Sequence, residues 1–156
     1  MNDAQLRTEL ISALTEEHAH ASFTEAVSGV NPELINKKLS DSLHSIWQLA
    51  EHIRISQEDI LRYMVDPDWK SPVWPDEYWP TNDADEIQLQ KTVEKYNADM
   101  DELTALIKDP AIDLTSVIPH TTNHTYLREI LLIIDHNSYH AAQIIETRKF
   151  LNNWKR

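Results

Sequence analysis

The chain has 156 residues, 41% of them hydrophobic and 26% charged. That is the length and composition of a single globular domain, so neither a disordered tail nor a membrane protein is expected. Lys+Arg 14 against Asp+Glu 26 gives a net charge of −12, which repels phosphate backbones and anionic lipid heads and argues against nucleic-acid and membrane partners. A single glycine leaves no material for hairpin turns or phosphate-binding loops, and so excludes most all-β, Rossmann and Walker folds. Cysteine is absent, which removes disulfides, thiolate nucleophiles and thiolate metal sites. The opening Met1-Asn2-Asp3-Ala4-Gln5 lacks the basic-then-apolar layout of a signal peptide, so a cytoplasmic protein is expected.

Prolines punctuate the chain at Pro32, across Pro67 to Pro80, and at Pro110 and Pro119. Four proline-free segments with helical periodicity lie between them, at roughly 3–28, 41–65, 83–108 and 125–153. The first places Leu6, Leu10, Ala13, Glu17, His20, Thr24 and Val27 on one face. The second aligns Leu43, Ile46, Leu49, Ala50, Ile53, Ile60, Leu61 and Met64, with Ser40 or Asp41 as a candidate cap. The third is weaker, with Ile87, Val93, Tyr96, Met100, Leu103 and Ile107 among many charges, a cap at Asn82 or Asp83 and an end at Pro110. The fourth is the most apolar, carrying Leu127, Ile130, Leu131, Ile134, Ala141 and Ile145. Four such segments without strand signals predict a single all-α domain over 1–156, a four-helix bundle. The connection 66–80 holds Trp69, Trp74 and Trp79 and four prolines. It is long enough for a crossover, and its indoles serve either to staple it to the bundle or to form a lid or dimer surface.

Eight histidines are the chemical signal. His136 and His140 stand four apart on the last segment, which stacks their rings one turn apart. With Leu127 at zero and about 100° per residue, they fall near 180° and 220°, beside Ile133 and Ile144 and away from the charged stripe of Arg128, Asp135 and Glu146. His52 lies at a similar margin on the second segment. Three imidazoles from two facing helices with an open fourth position make a catalytic metal set, while hydrogen-bonded histidines packed in the core remain the alternative. The intervening Asn137, Ser138 and Tyr139 exclude His-Glu-x-x-His, and the last segment offers no Glu-x-x-His for a di-iron site. His20 could reach the same pocket, and Gln143 could orient a ligand or a water.

The stretches His44-Ser45-Ile46-Trp47-Gln48-Leu49-Ala50-Glu51-His52-Ile53 and Asp135-His136-Asn137-Ser138-Tyr139-His140-Ala141-Ala142-Gln143-Ile144 resemble the two signature segments of the DinB superfamily, bacterial DinB/YfiT-like metalloenzymes. The likeness spans nearly the whole chain. It implies up-down-down-up wiring with a long crossover loop, a metal triad at His52, His136 and His140, and often a homodimer. The implied cofactor is a divalent ion, for which Zn, Ni, Mn and Fe all suit imidazole. The expected function is that of a metal-dependent hydrolase or low-molecular-weight thiol transferase acting on a small molecule. The other expectation is a stress-associated metal-binding or sensing bundle without turnover.

Overall fold

Helix starts in this chain are set by short polar side chains that accept the first free backbone N–H groups. The computed structural model describes residues 2–16 and 19–154. Helix α1 (Asp3–Thr15) begins at Asn2 and α2 (Phe23–Val27) at Ser22, whose hydroxyl accepts from the Glu25 N–H. The long helices are α3 (Ile46–Val65), α4 (Glu86–Lys108) and α5 (Tyr126–Phe150). Ser45 with Gln48, and Asp85 with Gln88, form reciprocal capping boxes at the starts of α3 and α4. Thr125 caps α5.

These caps correct the sequence-derived boundaries. The second and third helices begin later than 41 and 83, because a residue paired with a glutamine three positions on satisfies two donors where Ser40, Asp41, Asn82 or Asp83 alone would satisfy one. The first segment is two helices: α1 ends at Thr15, and α2 starts afresh at the Ser22 cap. Glu17, expected on its apolar face, lies outside the described residues.

Cross-helix contacts define the wiring. His52 in the first half of α3 meets His136 and His140 in the middle of α5, while Tyr63 near the end of α3 meets His124 just before α5 begins, so α3 and α5 are antiparallel. Glu51, Gln57 and Arg62 meet Thr92, Tyr96 and Asp99, so α3 and α4 are parallel. Arg7 reaches Ile107 while Phe23 and Thr24 reach Tyr96 and Asn97, so the α1–α2 rod runs against α4. The result is an all-α up-down-down-up bundle, with 66–85 as the crossover between its parallel pair.

The core joins Leu49, Ile53, Leu61 and Met64 of α3 to Leu103 and Ile107 of α4 and Ile130, Ile133 and Ile144 of α5. Ile35, Leu114 and Ile118 pin the connections into it, each side chain contributing about 1.5–3 kcal/mol of burial. The buried stripe of α5 passes through Asn137 and His140, so weighting apolar residues alone rotates the expected face. Leu131, expected inside, is 50% exposed. Leu43 precedes α3 and is also 50% exposed, while Ile87 in the first turn of α4 is 63% exposed. No helix among the described residues is long and apolar enough to cross a membrane.

The C-termini of α2 and α4 are capped by arginines from other elements. Arg7 donates to the carbonyls of Ile107 (2.5 Å), Asp109 (2.9 Å) and Ile112 (2.6 Å) at the end of α4. Arg148 donates to Ala26 (2.7 Å), Ser28 (2.8 Å) and Gly29 (3.1 Å) at the end of α2, and to Asn153 (2.8 Å). Gly29 itself sits at φ +65° with open space where a Cβ would project. Replacing Gly29 with Ala should therefore cost only the backbone term, about 1 kcal/mol. Arg148→Met, which strands the buried Ala26 carbonyl and three part-buried ones, should cost about 3 kcal/mol. Urea unfolding of the two variants checks both, and equal costs would refute the capping role of Arg148.

Candidate metal centre

The antiparallel contact of α3 with α5 places three imidazoles in one cluster. His52 of α3 is 1% exposed, His140 of α5 is 9% exposed, and His136 is half-buried. Ring centroids form a near-equilateral triangle: 4.9 Å for His52–His136, 4.6 Å for His52–His140 and 4.6 Å for His136–His140. One nitrogen from each ring lies within 4.8 Å of the others, an arrangement that can hold a metal ion.

The outward nitrogens show which atoms are free to coordinate. A carbonyl oxygen only accepts, so the Tyr78 carbonyl at 2.9 Å holds the proton on His52 Nδ1 and leaves its Nε2 with a lone pair. The Gln143 amide oxygen at 2.7 Å does the same for His140 Nδ1. His136 Nε2 stands 3.0 Å from His52 Nε2, close to the separation of two nitrogens bonded at about 2.1 Å to one ion. His136 Nδ1 is buried without a hydrogen-bond partner. A cation between the Nε2 atoms would let His136 coordinate through Nε2 with its proton on Nδ1, so this donor set fits a divalent metal.

Burial, followed by the neighbouring rings, pushes His136 down to about 4. His52 is likewise pushed down to about 4, chiefly by burial, against the pull of the Tyr78 carbonyl. Burial also lowers His140, opposed by Gln143. At neutral pH the rings are uncharged, with lone pairs available to a metal.

Around the cluster, Trp79 is clamped between two histidines, stacked on His52 at 3.8 Å and on His44 at 3.7 Å, each with an interplanar angle of 7°. Tyr139 meets His140 edge-on at 4.9 Å. Of the connection's other indoles, Trp69 donates to Asp59, while Trp74 is exposed beside Tyr78. The loop therefore staples itself to α3 through Trp69 and Trp79.

One layer beneath, Gln57 donates to the Tyr96 carbonyl (2.9 Å) and accepts from Asn137 Nδ2 (2.8 Å), a buried polar clamp joining α3, α4 and α5.

The other histidines lie apart. His20 is exposed and bonds the Ala21 carbonyl at 3.0 Å, away from the three-ring cluster. His44 precedes the Ser45 cap and covers Trp79. His120 donates to the Tyr63 carbonyl, and His124 pairs with the buried carboxylate of Glu129 at 3.0 Å. His124 is thus tied to the first turn of α5. His18 lies outside the described residues. Gln143 bonds a candidate ligand, His140, within its own helix. Sequence reasoning missed the Tyr78 carbonyl, which no residue type announces, and the Gln57–Asn137 clamp, whose only signal was amides on otherwise apolar faces.

Fold and cluster together define an all-α bundle with a three-imidazole site shared by two antiparallel helices. A model of the DinB superfamily matches residues 14–144, and the chain belongs to that superfamily. No curated protein and no solved structure matches it.

Gln57→Leu should destabilise the fold by about 1–3 kcal/mol by stranding the Asn137 amide, and Gln57→Leu with Asn137→Leu should recover part of that loss. Additive costs in urea unfolding would show that the two residues are not a unit.

The depressed imidazoles also set a pH response. Between about 6.5 and about 4 the unfolded chain takes protons that folded His52 and His136 refuse, so metal-free protein loses stability as pH falls through that window. The loss from pH 7 to pH 5 should be larger in wild type than in His136→Gln, and a larger loss in the variant would contradict the depressed values.

Proposed function

We propose that His52, His136 and His140 bind a divalent cation and that the protein is a metal-dependent enzyme, either a hydrolase or a low-molecular-weight thiol transferase. The observation that carries this reading is the pairing of the His52 and His140 Nδ1 atoms with acceptors, which leaves their Nε2 lone pairs to converge with that of His136. A bound divalent ion supplies Lewis acidity that brings the deprotonation of a water or a thiol into the neutral range. The chain's own residues do the rest. Tyr78 and Gln143 fix the ring orientations, and Trp79 shields one face of His52 from water. Zn, Ni, Mn and Fe each suit three neutral imidazoles. The proposed compartment is the cytoplasm, where small thiols stay reduced. The proposed assembly is a homodimer, supported by exposed apolar side chains such as Leu43, Leu131 and Phe150; sedimentation of a single 18.2 kDa species at micromolar concentration would refute it.

One observation favours a second reading, a non-catalytic stress-associated metal-binding or sensing bundle. The larger cavities, of about 600 Å³ and about 850 Å³, run beside the three histidines rather than over them.

Metal analysis tests the shared premise. Purified wild type should retain close to one divalent ion per chain and His136→Ala much less, and equal content would remove the site. Cobalt-loaded protein then separates the readings. A small thiol or azide that perturbs the cobalt spectrum, together with turnover in thiol-conjugation or ester-hydrolysis assays, supports the enzyme. A spectrum indifferent to both supports the sensor.

A further inference from the structure

The residues that orient His140 and His52 differ in kind. Gln143 is on the same helix as His140, one turn away, and is held there by the helix itself. The Tyr78 carbonyl belongs to the 66–85 crossover, which has no regular structure beyond the single 3-10 turn Asp76–Tyr78. A carbonyl on such a segment orients a ring only if something else immobilises the segment. Asp59, two turns along α3 from His52 and half-buried, is placed to do this. One carboxylate oxygen accepts from Trp69 Nε1 at 2.8 Å, near the start of the crossover. The other accepts from the Tyr78 hydroxyl at 2.5 Å, near its end. Burial, then the Asp59 carboxylate itself, pushes the Tyr78 phenol up, so it stays protonated and donates. The Tyr78 carbonyl in turn receives the His52 Nδ1 proton, and the next residue, Trp79, lies flat on the His52 ring.

We propose that Asp59 is a positioning residue for the histidine cluster: by latching Trp69 and Tyr78 it holds the Tyr78 carbonyl on His52 Nδ1 and so fixes the tautomer and direction of the His52 Nε2 lone pair. The inference rests on the metal reading for its consequence but not for its geometry. Aspartate suits the post because two acceptor oxygens meet two donors from opposite ends of one loop. Asparagine preserves both contacts, its oxygen accepting from Trp69 and its amide donating to the phenol oxygen. Alanine preserves neither, and Tyr78→Phe removes the phenol arm alone.

The first arm of the test uses metal-free protein and reads ring nitrogens by long-range proton–nitrogen NMR correlation. Wild type and Asp59→Asn should show His52 protonated at Nδ1. Asp59→Ala and Tyr78→Phe should show the Nε2–H form that an unrestrained neutral imidazole prefers. The second arm titrates cobalt. Affinity should fall about 10- to 100-fold in Asp59→Ala and Tyr78→Phe, no further in the double variant, and recover in Asp59→Asn. Asn36→Ala is the control: its side chain bonds Ala84 near the far end of the crossover, and it should leave the His52 tautomer unchanged. Retention of the Nδ1 proton in Asp59→Ala, with cobalt affinity within twofold of wild type, would overturn the proposal. Failure of wild type to bind cobalt would overturn the proposed function instead, and the tautomer arm would still decide the role of Asp59.

Discussion

The antiparallel seam between α3 and α5 carries both the stability and the candidate chemistry of this protein. Its apolar residues interdigitate without choosing a unique register, since aliphatic side chains at helical spacing pack acceptably after a one-turn slip. Gln57 and Asn137 remove that freedom. Buried together, the Asn137 amide N–H donates to the Gln57 amide oxygen only in the observed register, and Gln57 adds the Tyr96 carbonyl of α4. A slip would leave buried amides unpaired at a cost of about 1–3 kcal/mol each. His136 immediately precedes Asn137, and His52 lies on the next turn of α3 from Gln57, so the clamp that sets the register also brings the three rings together.

The same seam explains how the site tolerates burying three imidazoles. Neutral rings need one donor and one acceptor satisfied, and the protein meets the outward requirement for two of them with the Tyr78 carbonyl and the Gln143 amide. The third, His136, keeps an unpartnered Nδ1, an imperfection of the kind that concentrates where a fold serves something besides its own stability. The crossover supplies one of the two acceptors and the flat indole cover, so a connection that parallel α3 and α4 require on topological grounds also becomes a wall of the site.

Much of this was legible in one dimension. The amphipathic segments, the long Trp- and Pro-rich connection and the His-x-x-x-His spacing are local patterns, and the resemblance to the DinB superfamily rested on contiguous residues. Helix boundaries were legible too, through Ser45 with Gln48, Asp85 with Gln88, and Ser22 with Glu25, but these pairs are outweighed when proline is read as the main punctuation. The buried face of α5 was harder, because Asn137 and His140 occupy core positions and an apolar count steers toward Leu131.

The linear pattern settles the class: long amphipathic helices without the glycine that other folds need, and eight imidazoles with no thiolate to compete for a metal. Which imidazoles meet, and how each is aimed, depends on the packing of the helices and the crossover. The Tyr78 carbonyl, the two-ended grip of Asp59 and the arginine caps on α2 and α4 join residues far apart in the chain, and several act through backbone atoms common to every residue. Helical periodicity says which way a side chain points around its own axis; only packed helices say what it points at.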